Sequence, residues 1–388
     1  MKILMVGLAT FDQMAGGSAR YLTGVADGLR ALGHDVPVLT AADHVRTPGF
    51  TESGIIGQLR RAGARLLVGM PRTASALLVL RPDVLNVHFA LDGLPAVLVA
   101  GLRRTPMVVS FHGPWALESL ATGRRGSWPL STTARFAIEA FVYRRARRCI
   151  ALSDAFAEIL RTQYGVRPEL IRVIPGGIDV HSFSRLPGPA EARRRLGLPE
   201  AGYTMVTVRR LVPRMGVDIA IEALSRLEGD FALAIAGSGP ERPRLEELAR
   251  ARGVEGRTHF LGRVADDQLP LVYAAGDVCV VPSRELEGFG FVALEALASG
   301  RPVIAAGTGG LREVMGRLEP RWIVAPRADD LAVAVQRLRA DRGAYPSGTD
   351  CSEYAATMDW SRILPRVMDV FAEAVEDAKA AGRPLTRR

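Results

Sequence analysis

Eleven short apolar runs, separated by stretches with helical spacing, limit what this chain can fold into more than any other feature. The first series is 2–9 (KILMVGLA), 35–40, 84–90, 107–113, 149–154 and 171–177. A second series follows at 203–211, 231–237, 258–264, 277–283 and 302–307. The runs show little polar alternation, which is the mark of strands covered on both faces; strands of that kind separated by helices form parallel sheets. Two series give two doubly wound α/β domains, and 388 residues are enough for two cores. The charged, proline-containing stretch near 180–200 reads as the linker. The expected domains are 1–182, joined by a C-terminal helix at about 361–388 that packs back on the first domain, and 183–360.

Ligands of such sheets bind beyond the carboxyl ends of the strands, so the loops there carry the chemistry. One of them, Arg284 to Gly310 (RELEGFGFVALEALASGRPVIAAGTGG), holds Glu287 and Glu295 eight positions apart. Gly288 and Gly290 free the backbone to approach a ligand. The first amides of the following helix, around Phe289, Gly290, Phe291 and Val292, attract an anion. Glu295 lies about 12 Å further along at about 1.5 Å per residue. A phosphate flanked by hydroxyl groups, as in a nucleotide-sugar, suits that layout. A solvated glutamate on an amphipathic helix accounts for Glu295 alone, but not for Glu287, the glycines and the strand-end position together.

Several functions can be set aside. A Schiff-base lysine in the second domain is impossible, because the only lysines are Lys2 and Lys379. No G-x-G-x-x-G follows the first strand, which disfavours a nicotinamide oxidoreductase. No run of 18 or more apolar residues occurs, which argues against a membrane-spanning helix. The N-terminus reads as a first strand rather than a signal peptide. The three cysteines are far apart and in no CxxC pair, which suits reduced thiols in a cytoplasmic protein.

The residues resemble glycosyltransferase family 4, retaining enzymes of the two-Rossmann GT-B architecture. The E-x7-E pair Glu287 and Glu295 matches its signature. AGGSARYLTGVADGLRALGHDV, SFHGPW, ALSDAFAEIL, VIPGGID, VRRLVPRMGVD, IAGSGPE, FLGRV and MDWSRI match it in order along nearly the whole chain. The resemblance implies two Rossmann-like domains facing across a cleft that closes on the donor. It also implies transfer of a hexosyl unit from a nucleoside-diphosphate sugar, UDP-sugar favoured, to a hydroxyl acceptor. Glu295 would bind ribose, and Glu287 would face the donor sugar as nucleophile or positioning group. The amides of Gly288 to Phe291 would hold sugar and phosphate, Arg210 would neutralise the diphosphate, and backbone around Arg263 and Val264 would hold the base. Gly237 belongs to the donor-side loops; Gly17 would approach the phosphate and His112 the transferring sugar. No D-x-D triplet occurs, so neither a metal nor another cofactor is expected.

Two departures stand out. Met215 replaces the lysine of the family's R-x4-K-G pattern, so Arg214 either takes over as a bidentate phosphate grip or points to solvent. Gly176 stands where asparagine is frequent, read as a turn variant. A sugar-nucleotide epimerase and a non-catalytic nucleotide-sugar or carbohydrate binder are the rivals. Charge raises a further question. Up to Val180 there are 21 basic against 13 acidic residues, and afterwards 29 against 28. Without a recognisable module or aromatic interleaving this does not indicate nucleic acid. Segment 55–72, the pairs 103–104 and 124–125 and the run 144–148 could instead touch an anionic membrane and a lipid-linked acceptor. The other reading is solvated arginines, with a small-molecule acceptor such as a secondary-metabolite core.

Overall fold

The computed structural model describes residues 1–7, 16–40, 73–103, 105–121 and 132–382. The chain forms two compact units, Met1–Gly177 with Trp360–Arg388, and Ile178–Asp359. The expected limits, 182/183 and 360/361, fall within a few residues of these. Each unit has a six-stranded parallel sheet, so the two doubly wound domains read from the sequence are present.

The first sheet contains β1 (Ile3–Gly7), β2 (Val38–Thr40), β3 (Val84–Val87), β4 (Met107–Phe111), β5 (Arg148–Ala151) and β6 (Ile171–Val173), in the order β2-β1-β3-β4-β5-β6. The second contains β7 (Tyr203–Val208), β8 (Phe231–Ala236), β9 (Thr258–Gly262), β10 (Val278–Val281), β11 (Val303–Ala306) and β12 (Ile323–Val324), in the order β12-β11-β10-β7-β8-β9. The central strands are buried throughout, because helices cover both faces of each sheet; that is why they read as unbroken apolar runs. Strand order reverses between β1 and β3, and again between β7 and β10. Loops after adjacent strands diverge at such switch points and leave room for a ligand.

The C-terminal helix Trp360–Gly382 belongs to the first unit and packs against the helix Gly17–Ala31, β4 and β5. Two glycines allow the close approach. A Cβ on Gly24 would stand 2.3 Å from Trp360 Cζ2, and one on Gly28 2.3 Å from Leu364 Cδ1. The fused indole ring is rigid, so it cannot yield by a rotamer change. Gly24→Ala should therefore cost about 1–3 kcal/mol through overpacking, more than the roughly 1 kcal/mol that alanine adds to helix propensity. Urea unfolding checks this; a variant as stable as wild type would show that the helices can separate without loss.

In the arginine-rich stretch 144–148 the side chains of Arg144, Arg145 and Arg147 are exposed, while Arg148 is half-buried in ion pairs. Arg148 pairs with Glu373 at 2.9 Å and Asp377 at 2.6 Å on the C-terminal helix. Arg144 Nε donates to the Tyr164 carbonyl at 2.5 Å, and the Arg145 guanidinium lies 3.9 Å from the centroid of the Phe141 ring. Segment 55–72, on which the membrane reading chiefly rested, lies outside the described residues, as do Arg104, Arg124 and Arg125. Among the described residues no helix is long and apolar enough to cross a membrane. Cys149, Cys279 and Cys351 are free and buried, and burial pushes each thiol up to about 12.

Candidate functional site

In the second unit the polar residues gather at the β7/β10 switch point. The backbone of Arg209 continues the β7–β8 ladder, its amide donating to the Ala236 carbonyl at 2.9 Å. Gly237 sits at φ 143°, and a Cβ there would meet the Arg209 carbonyl at 1.8 Å, so this glycine has a packing role. The Arg209 side chain is buried, whereas the next residue, Arg210, is exposed. Glu287 Oε2 accepts from Arg209 Nη2 at 2.6 Å and from Ser283 Oγ at 2.8 Å, while Arg209 Nη2 also donates to Ser283 Oγ. The three side chains thus join the ends of β7 and β10. Burial pushes the Glu287 carboxyl up, but the charge and hydrogen bond of Arg209, the Ser283 hydroxyl and the charge of Arg214 together hold it below the usual carboxylate range. Glu287 is ionised at neutral pH.

The loop carrying Glu287 is braced from three sides. Arg214, itself buried, donates from Nη1 to the Leu286 carbonyl at 3.1 Å, and the Arg284 amide donates to the Arg214 carbonyl at 2.9 Å. The Arg284 guanidinium grips both Asp218 oxygens at 2.7 Å. The Glu287 carbonyl accepts from the Gly310 amide at 2.9 Å, an approach open only because Gly309 lacks a Cβ that would stand 2.2 Å from that oxygen. Leu286 holds φ 53°, a left-handed conformation costly for a leucine and typical of over-determined functional loops. Arg214 is therefore not solvent-directed; it is part of the wall around Glu287.

Helix Phe291–Ala298 starts from Gly290 at φ 95°, with no side-chain cap and no acid in its first turn, so its positive end is electrostatically open. Phe289 is buried and packs edge-on against Phe291, at 5.1 Å between centroids. Its side chain is core, which leaves its backbone as the part suited to a ligand. Glu295 is only 2% exposed and accepts from the Tyr273 hydroxyl at 2.6 Å. Arg263 and Val264 directly follow β9, two strands from the switch point, and Arg263 is exposed. Gly288 lies between Glu287 and the helix start, and Val292 in the first turn.

In the first unit Gly17 opens the helix Gly17–Ala31 behind Gly16, which also lacks a side-chain cap. His112 follows β4 directly and His88 follows β3, so the two occupy neighbouring strand ends. His88 Nδ1 lies 3.0 Å from His112 Nε2, with the ring planes 15° apart and 5.2 Å between centroids, so the rings meet edge to edge. Burial lowers His112 to about 4, and burial with the neighbouring His112 drives His88 well below the usual range, so both rings are neutral at pH 7. Just beyond, Glu139 accepts from the amides of Trp115 at 2.8 Å and Ala116 at 3.1 Å and from the hydroxyls of Tyr143 and Tyr164, fixing the turn after His112.

Sequence reasoning misses Ser283, Tyr273 and His88, and reaches Arg209 only as one of the arginine pair that follows β7. His88 carried a usable signal, since it ends an apolar run on the same sheet edge as His112. Among the described residues no group of three or more His, Cys, Asp or Glu is placed to hold a metal ion.

Comparison with known proteins gives two matches in tandem. Residues 15–182 match the family model described as Glycosyltransferase Family 4, and 190–358 match Glycosyl transferases group 1. A D-inositol 3-phosphate glycosyltransferase from Salinispora tropica is 32% identical, over 94% of this chain and 82% of its own. Among solved structures, a sucrose-phosphate synthase from Thermosynechococcus elongatus is similar with a TM-score of 0.80 at 23% identity, covering 98% of this chain and 100% of that one. Anabaena HepE in complex with UDP-glucose is similar with a TM-score of 0.74 at 22% identity, covering 96% of this chain and 99% of that one.

Proposed function

This chain belongs to glycosyltransferase family 4, and from that premise we propose that it moves a hexosyl unit from a UDP-sugar to a hydroxyl of a small polyhydroxylated acceptor, with retention at the anomeric carbon. The observation that carries the reading is the pairing of the Glu287 carboxylate with Arg209 and Ser283. That carboxylate is held between Arg209 and Arg214 beside an uncapped helix start at the switch point of the second sheet. The HepE structure supports a uridine nucleotide, and the Salinispora relative supports a small cyclic polyol as acceptor. The lipid-linked alternative has no comparable support among the described residues.

In this reading the bond from the anomeric carbon to the diphosphate oxygen breaks while the acceptor oxygen bonds to the same face. The acceptor proton passes to an oxygen of the departing diphosphate, so no protein base is required. Negative charge gathers on the leaving group, where the amides from Gly288 to Val292 and the cations Arg210 and Arg214 stabilise it more than in the ground state. Glu287 offsets positive charge at the anomeric carbon. Glu295 takes the ribose hydroxyls, backbone at Arg263 and Val264 the base, Gly17 the phosphate and His112 the sugar. Arginines and amides do the work a metal does elsewhere, so activity should survive chelators.

A nucleotide panel tests the reading, because a ligand of the native state raises its melting temperature by mass action. UDP should stabilise the wild type more than ADP or GDP. Glu295→Ala should weaken UDP and raise the donor KM by roughly 10- to 100-fold with little change in kcat, the loss expected for a hydrogen bond to a charged group of about 1.5–3 kcal/mol. Stabilisation by none of the nucleotides, or an unchanged donor KM in Glu295→Ala, would remove the ribose assignment.

A further inference from the structure

We infer that His88 is a positioning residue for the transfer reaction. It shares a single proton with His112, so that the two rings adopt the same tautomer and act as one hydrogen-bonding unit at the first sheet's edge. The placement is over-determined. The His88 backbone amide donates to the Val6 carbonyl at 2.8 Å, and the pairing of Val87 with Val109 puts His88 level with Ser110, with His112 two residues further along and so on the same side of the sheet. Tyr21 packs edge-on against His112 with centroids 5.1 Å apart, and lies 6.0 Å from His88. Neither ring can turn away without opening that aromatic contact.

The proton count follows from the geometry. Two nitrogens 3.0 Å apart attract only when one N–H lies between them; two hydrogens collide and none leaves two lone pairs opposed. With both rings neutral, a proton on His88 Nδ1 makes both rings Nδ1–H. A proton on His112 Nε2 makes both rings Nε2–H. The outer nitrogens, His112 Nδ1 and His88 Nε2, are buried and have no hydrogen-bond partner among the described residues. In the first state His112 Nδ1 donates and His88 Nε2 accepts; in the second these roles are exchanged. A hydrogen-bond partner gained by one outer nitrogen therefore fixes the character of the other through the shared proton. The coupling stands on this geometry, whereas its consequence for transfer rests on His112 facing the sugar, as proposed above.

Imidazole nitrogen-15 spectra of the intact enzyme read the tautomers directly, since N–H and bare ring nitrogens resonate far apart. His88→Phe and His112→Phe assign the two rings by difference. Wild type should show His88 and His112 as the same tautomer; opposite tautomers would overturn the inference. In folded His88→Phe, which keeps an aromatic ring but no nitrogen, His112 should lose its single tautomer. The kcat should fall about tenfold, the effect of roughly one well-placed hydrogen bond, with the donor KM within twofold of wild type. His88→Asn, whose amide sits near the Nδ1 position and can accept or donate, should recover most of kcat. A His88→Phe enzyme with wild-type kcat, or a His88→Asn enzyme no better than His88→Phe, would overturn the positioning role. Unaltered transfer by His112→Ala would instead sink the placement of His112 at the sugar, while leaving a shared tautomer in the spectra untouched.

Discussion

Glu287→Gln should reduce kcat by about 100-fold or more while leaving the donor KM nearly unchanged. The substitution keeps the shape and removes the charge, so what is lost is stabilisation of the transition state, for which a single preorganised group is worth about 2.7–4 kcal/mol. It also leaves the Arg209 guanidinium buried with no counter-charge: the Arg209 side chain is only 3% exposed and that of Glu287 14%. Breaking a buried pair from one side costs about 3–5 kcal/mol, so the variant should melt at a lower temperature as well. The two effects separate because kinetics can be measured well below the melting temperature and nucleotide binding can confirm that the folded state is intact. A Glu287→Gln enzyme that is folded and turns over at the wild-type rate would place this carboxylate away from the reacting carbon.

What the sequence makes legible here is set by how local its physical cause is. The central apolar runs of both sheets are legible because those strands are buried on two faces and need no neighbour to be recognised. β12 escapes, being Ile323–Val324 alone, two residues whose pairing with β11 rather than their composition makes them a strand. The glutamates, Gly290 and the open helix start are legible because they lie within one loop and the helix it enters. The choice between Arg209 and Arg210 is not. Both follow the same strand, and which one turns inward depends on Ser283 and Glu287, 74 and 78 positions beyond Arg209 and reached only when β10 is laid beside β7. The resemblance gives Arg210 to the diphosphate and says nothing of Arg209, whose guanidinium touches Glu287. The burial of Arg214 is likewise a tertiary fact: its partner is the Leu286 carbonyl, 72 positions away along the chain.

Arg209→Met should be the second severe lesion, and its pH dependence tells a positioning charge from a merely structural one. Methionine fills much of the same space without the guanidinium, so Glu287 keeps its burial and loses the charge and hydrogen bond that hold its carboxyl down. In the wild type Glu287 titrates below its unfolded value. Its contribution to stability is therefore present above the ordinary glutamate range and is lost as pH falls through the lowered folded value. In Arg209→Met the remaining desolvation pushes the same carboxyl upward, and the sign reverses. The folded state then favours protonated Glu287, so the stability deficit shrinks on acidification and grows as pH rises through the raised value. Activity should move the opposite way. If the charged carboxylate is what assists transfer, the acid limb of kcat shifts to higher pH, and activity at neutral pH falls by a factor on the order of ten or more. Arg209→Lys should stay closer to the wild-type profile, since a cation remains, although the ammonium would have to take the place of the single nitrogen, Nη2, that donates to both Ser283 and Glu287. Melting curves and kcat profiles between about pH 4 and 8 on the wild type and both variants settle the matter. Parallel stability curves with no shift in the acid limb would mean that Arg209 only fills space between β7 and β10, and that Glu287 is kept ionised by Arg214 and Ser283 alone.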